Sequence, residues 1–226
     1  MRSAILAAGL AATAAILSGG TARADDASPS GIEVGLRSGY AIPLGSGASG
    51  HDLSEAISGA IPIWFDAGYR LLNPNLFLGA YLEYGIGFLP STASAAGCDQ
   101  NGVSCSVSLL MYGVQAHFHL APHQAVDPWL GVAFGFENLM AGASQGNVSS
   151  GATDSGLDYV TFMVGGDYKP SPNVGVGPFV NLALGQYSNV SVSGPGNTQT
   201  QSGSIPNPAL HEWLMIGIRV TDDINL

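Results

Sequence analysis

A chain of 226 residues is long enough for one domain with a large interior, yet only 10% of it is charged, against roughly 25% in an ordinary soluble domain, and glycine supplies 32 residues, about twice its usual share. Mean hydropathy is +0.26, but no run of about 18 strongly apolar residues occurs, which excludes a spanning helix. With 6 basic and 16 acidic residues the net charge is −10, which argues against direct binding to nucleic acid or to an anionic surface.

The chain opens with a basic Met1–Arg2, an apolar stretch from Ala4 to Leu17, and Ala22-Arg23-Ala24 followed by Asp25-Asp26. That order has the form of a secretory signal peptide with an A-x-A cleavage site. Residues 1–24 are expected to be removed, leaving 25–226 as the working chain. Its 4 basic and 16 acidic residues give 4 − 16 = −12.

Eight alternating segments follow, separated by turn-forming residues. In 32–42, Ile32, Val34, Leu36, Tyr40 and Ile42 share one face, with Glu33 and Arg37 on the other. In 60–71, Ile61, Ile63, Phe65 and Tyr69 oppose Trp64, Asp66, Gly68 and Arg70. In 76–88, Leu78, Leu82, Tyr84, Ile86 and Phe88 oppose Phe77, Tyr81, Glu83 and three glycines. In 107–120, Leu110, Tyr112, Val114 and Phe118 oppose Met111, Gln115, His117 and His119. In 128–137, Leu130, Val132, Phe134 and Phe136 oppose Trp129 and Glu137. In 158–168, Val160, Phe162, Val164 and Tyr168 oppose Thr161, Gly165 and Asp167. In 174–187, Val176, Val180 and Leu182 oppose Phe179 and Asn181, and in 210–220, Leu214, Ile216 and Ile218 oppose His211, Trp213 and Arg219.

The connections alternate in length. Segments are joined by long links at 43–59, 89–106, 138–157 and 188–209, and by short ones at 72–75, 121–127 and 169–173. An up-and-down barrel with its long loops at one end and its turns at the other gives this rhythm. The short links carry Asn73-Pro74-Asn75, Asp127-Pro128 and Lys169-Pro170-Ser171-Pro172-Asn173, all turn formers. Within the second long link, Cys98 and Cys105 in GCDQNGVSC lie close together in an exported chain, and a disulfide is expected rather than a metal site. The segments 146–156 and 188–204, rich in Ser, Gly and Thr, read as flexible polar loops. The long links lack Lys and Arg but hold Asp52, Glu55, Asp99, Asp154 and Asp158.

One face of every segment is therefore apolar. The other collects Glu33, Arg37, Asp66, Arg70, Glu83, Gln115, His117, His119, Glu137, Asp167, Asn181 and Arg219. In a soluble barrel or sandwich these charges would be the wet exterior. Glycines alternating with Trp64, Trp129 and Trp213 instead suit a narrow filled interior. Tyr40, Tyr69, Tyr84, Phe88, Tyr112, Phe118, Phe136 and Tyr168 near the ends of the apolar face suit two interfacial girdles. The expected fold is all-β, an eight-stranded antiparallel up-and-down transmembrane β-barrel with four long outer loops.

Signal segment, eight strands, long outer links and short inner turns together resemble the small outer-membrane β-barrel proteins of Gram-negative bacteria over about residues 30–226. The resemblance implies an outer-membrane location, contact with membrane lipid and insertion by the barrel-assembly machinery. Such chains often end in an aromatic residue, whereas this one ends in Leu226.

An eight-stranded barrel is just wide enough for side chains to fill. Glu33, Arg37, Asp66, Arg70, Glu83, Glu137, Asp167 and Arg219 are expected to form a lumenal charge network that plugs it, because an unpaired charge in confinement is costly. The function expected is structural or surface-interacting, with an extracellular ligand met through the loops. The alternatives are a narrow channel preferring cations, since lumenal acids outnumber bases, and a soluble exported barrel whose apolar face lines a ligand cavity. His117 and His119 can share a metal, but spacing assigns no third ligand, so neither metal nor cofactor is expected. No enzyme is expected either, since the serines lie in polar loops without an evident base.

Overall fold

The computed structural model describes residues 31–48, 50–71, 75–93, 97–194 and 200–224. The signal segment, Asn73-Pro74 and Leu226 lie outside them. Eight long strands run β1 Gly31–Ala48, β2 Gly59–Leu71, β3 Leu76–Phe88, β4 Val103–His119, β5 Val126–Gln145, β6 Val148–Tyr168, β7 Val174–Ser193 and β8 Leu210–Ile224. Each pairs antiparallel with the next. β8 then pairs with β1 from Ile32↔Ile224 to Gly45↔His211, which closes the ring and leaves no long edge among these strands.

The apolar face of every strand is outside. Leu36 is 52% exposed, Leu82 52%, Val114 60%, Phe162 51% and Ile218 56%, while Glu83, Arg37 and Asp66 are at 0%. This is the inverse of a soluble core, and it removes the reading in which the apolar face lines a ligand cavity. The exposed row from Leu78 to Phe88 covers about 33 Å of strand, or about 25 Å of height at the ~40° tilt of such barrels, which matches an apolar membrane band. The eight aromatics expected in girdles are all exposed on this surface, with Tyr40 against Phe88 (6.2 Å between centroids) and Tyr112 against Phe136 (5.6 Å).

Strand starts and ends within the band fall where alternation places them, but the outer ends run further. The link 138–157, expected as a loop, is ladder on both sides: β5 and β6 stay paired from Glu137↔Gly156 out to Gln145↔Val148 and turn at Gly146, whose φ is 58°. Likewise β7 continues to Ser193 and is met by a short strand, Thr200–Ser204. The segments read as flexible polar loops are thus largely β-sheet projecting beyond the membrane. There both faces meet water, so no alternation is required.

The other two long links are more compact. After β1, His51–Asp52 folds back onto the strand end and leads into a 3-10 turn, Leu53–Glu55, that drops Leu53 and Ile57 into the barrel mouth. The link after β3 carries the Cys98–Cys105 disulfide, Cα atoms 5.6 Å apart, around a tip where Asp99 and Asn101 take positive φ. Those two residue types tolerate the left-handed region best after glycine.

Candidate functional site

The lumen is built by the inward half of each strand. Trp64, Trp129, Trp213, Phe77, Tyr187, Met111 and Met215 are at or below 1% exposure, beside fully buried Arg37 and Arg219. Inward glycines make the room. A Cβ on Gly35 would sit 2.6 Å from an Asp66 oxygen, and one on Gly87 2.7 Å from Ile57 Cδ1. Small against large is how so narrow an interior closes around whole side chains.

All eight residues expected in the charge network are buried in this lumen. At the end bearing the short turns, Arg219 bonds Glu33 and lies 3.3 Å from Asp167. Arg70 spans three acids: Glu33 at 3.2 Å, Asp223 at 2.8 Å and Asp127 at 3.2 Å. His119 Nδ1 is 2.8 Å from the same Asp127 oxygen, and Lys169 reaches it from the rim at 3.2 Å. Midway, Arg37 donates to Asp66 at 3.1 Å and Gln115 at 3.3 Å, and faces His117 Nε2 at 3.1 Å. Its guanidinium lies 5.0 Å from the Trp64 ring centre and 5.5 Å from that of Trp129. Planar, delocalised charge packed among rings is what guanidinium tolerates and ammonium does not.

The arginines do not reach every expected partner. Glu137 is held by other side chains instead: the Tyr187 hydroxyl, Trp213 Nε1 at 2.8 Å and His211 Nε2 at 3.0 Å. Asp158 accepts from Thr161 at 2.5 Å and Tyr81 at 3.4 Å. Neither Glu83 oxygen has a hydrogen-bond partner, and the charges acting on it are those of Glu137, Asp158 and Arg37. The lumen therefore divides into a turn-side half holding the three arginines and most of the acids, and an outer half whose carboxylates Glu83, Glu137 and Asp158 have no arginine bonded to them.

Alternation alone misses three lumenal acids. Asp158, expected in an outer loop, points inward because a bulge between Asp158 and Val160 slips the phase of β6. Asp127, read as a turn former, is two residues before inward Trp129, and Asp223 is four after inward Arg219. Continuing the period of two through the strand ends would have found both.

Above the outer half, Leu53, Ile57, Leu109 and Leu139 form an apolar layer, each at or below 4% exposure. Over it opens a cleft of ≈ 400 Å³, with Leu53, Leu139, Tyr187 and Ile205 on its walls and Asp52, Glu55, Asp154 and His51 among its polar lining. Burial pushes the Asp154 carboxyl above the ordinary range, so its charge is lost earlier on acidification.

No protein-family model matches the sequence, and no curated protein matches it. Solved structures do match in shape. The crystal structure of Neisserial surface protein A, from Neisseria, is 17% identical, with 85% of this chain and 97% of that one covered at a TM-score of 0.50. Ail, the attachment invasion locus protein of Yersinia pestis, is 11% identical over 85% and 97% of the two chains at 0.44. The outer membrane protein OprG of Pseudomonas aeruginosa is 11% identical over 88% and 100% at 0.44. At such identity the likeness to the Neisserial protein is one of fold: this chain has the architecture of an outer-membrane β-barrel.

Proposed function

We propose that the chain is an integral outer-membrane barrel whose lumen is plugged by its own side chains and whose work is done at the outer mouth. The observation that carries this reading is the burial, at or below 1% exposure, of Arg37, Trp64, Trp129, Trp213 and Arg219 inside the barrel. The ion pairs Arg37–Asp66 and Arg219–Asp167 hold these arginines in place. The partners this reading assigns are membrane lipid around the band, the barrel-assembly machinery during insertion, and an extracellular ligand at the mouth. The mouth cleft has an apolar floor and an acidic rim, which suits a small cationic amphiphile. No catalysis is assigned: Ser191 bonds Ser202 and Ser155 bonds Asn138, partners that supply no general base.

A second reading, a narrow cation-preferring channel, is favoured by one observation. Glu83, Glu137 and Asp158 stand in the outer half without an arginine bonded to any of them. Single-channel recording in planar bilayers separates the two. The folded wild-type protein is expected to give no stable conductance steps. Reproducible cation-selective steps would move the channel to first place.

A further inference from the structure

Beyond the membrane band, the inward face of the β4–β7 ladder carries a second cleft next to the one at the mouth. Residues paired across strands share a face of the sheet. Buried Leu139 therefore fixes the inward face for its row partners Asp154 and Val190. Two residues further out, Ala141, Ala152 and Val192 form the next row on that face, and Ala143 and Ser150 the one beyond. The mouth cleft of ≈ 400 Å³ lies over the first row. A cleft of ≈ 360 Å³ lies over the other two, against Leu89 and the Cys98–Cys105 disulfide. Successive rows are about 7 Å apart, so the two clefts run end to end for about 14 Å along one sheet face.

The two ends differ in chemistry. Asp154 stands at the inner end, half-buried, and has no hydrogen-bond or ion-pair partner among the described residues. Asp52 and Glu55 line the same cleft, in contact with Ser46 at 3.3 Å and His51 at 3.5 Å. Among the described residues that line the outer cleft, none is charged. Side chains shrink outward from Leu139 to Ala141 and Ala143, which leaves a shallow trough along the sheet rather than a deep pocket.

We propose that the two clefts together bind one single-chain organic cation, its ammonium beside Asp154 and its unbranched chain lying outward over Ala141, Ala152 and Val192 to the disulfide. This deepens the reading of the mouth as the working end, and rests on it. Charge decides the head group. Burial already penalises the Asp154 carboxylate, and a cation beside it compensates that penalty where a neutral group does not. Length decides the tail, since about 14 Å is close to the span of an extended decyl chain. An apolar wall with one convergent polar group is also how a binding site fixes the orientation of its ligand.

The test places the full chain in nanodiscs of zwitterionic lipid and measures uptake of butylammonium, decylammonium and decanol by equilibrium dialysis, with protein-free nanodiscs as the blank. Saturable binding of one decylammonium per chain is expected, tighter than butylammonium by more than about tenfold, because buried methylenes each add to affinity. Decanol should show no saturable uptake above the blank. Asp154→Asn should weaken decylammonium binding by more than about fivefold, the loss of one charge-assisted contact. Ala152→Phe fills the outer cleft and should shrink the preference for decylammonium over butylammonium. Asp99→Asn, an exposed acid at the disulfide-loop tip, should leave binding unchanged. Folding of each variant is checked by its gel mobility before boiling. Folded wild-type chain without saturable decylammonium uptake overturns the proposal, as do decanol bound equally well, undiminished binding in folded Asp154→Asn, or an unchanged chain-length preference in folded Ala152→Phe. Conductance of the same preparation separates this site from the plugged lumen: a silent barrel that binds no cation overturns the site alone, and a conducting barrel that binds it overturns the plug alone.

Discussion

Arg37 illustrates how single residues hold this interior. It has polar contacts to Asp66, Gln115, His117 and Met163, and its guanidinium lies near the rings of Trp64, Trp129 and Phe179. Removing it leaves Asp66 buried, because Asp66 sits at 0% exposure under Gly35. Arg37→Met is therefore expected to destabilise the folded barrel by about 3–5 kcal/mol, the usual cost of stranding a buried charge. Adding Asp66→Asn should recover much of that loss, since the stranded charge is then gone. Denaturant unfolding of the four proteins in lipid vesicles gives the cycle. Two independent, additive effects would mean that the pair is not coupled. Which residues face inward was legible from alternation, as Arg37 and Asp66 each stand opposite an apolar row. Which inward residues meet was not. Glu83 and Glu137 were expected beside arginines, yet they lie above them, and that height depends on the stagger of strands around the ring.

Among the elements, the β5–β6 hairpin separates what the membrane dictates from what it does not. From Val126 to Phe136, outward residues are apolar because they meet lipid. Beyond Glu137 the same ladder continues to Gln145↔Val148 with Ser, Gly, Ala and Thr on both faces. Beyond Leu139 little apolar surface is buried there, so the sequence reads as loop while backbone pairing with its neighbours still extends the strands. The projecting tip should consequently be dispensable. Replacing Ala143–Ser150 with an Asn-Gly turn is expected to change barrel stability by less than about 1 kcal/mol. Vesicle unfolding curves would check it, and failure of the trimmed chain to fold would mean that the tip nucleates the sheet. The bulge at Asp158 is the other element-scale feature hidden from periodicity. One extra residue, Tyr159, faces outward at 45% exposure and moves Asp158 from the expected outer loop into the lumen.

For the molecule as a whole, the central physical fact is inversion. Apolar side chains that would form a soluble core face outward, and three arginines with eight carboxylates are wrapped within the ring. Such a chain is stable only where lipid covers the outside. Closure between β1 and β8 then satisfies the backbone groups that an edge would leave bare in hydrocarbon. The number of strands and their inside–outside pattern could be read from the sequence, because each strand repeats the same local rule. Closure of β1 on β8 was implied by the expected barrel, but its register could not be read, since it joins residues nearly the whole chain apart. The most direct measurement is gel mobility of the vesicle-inserted protein with and without boiling, alongside circular dichroism. A closed membrane barrel is expected to run at a different apparent mass before boiling and to lose its β-sheet signal only on boiling. A chain that stays soluble without detergent or lipid, and runs identically before and after boiling, would contradict the inverted barrel and place Glu83 in water.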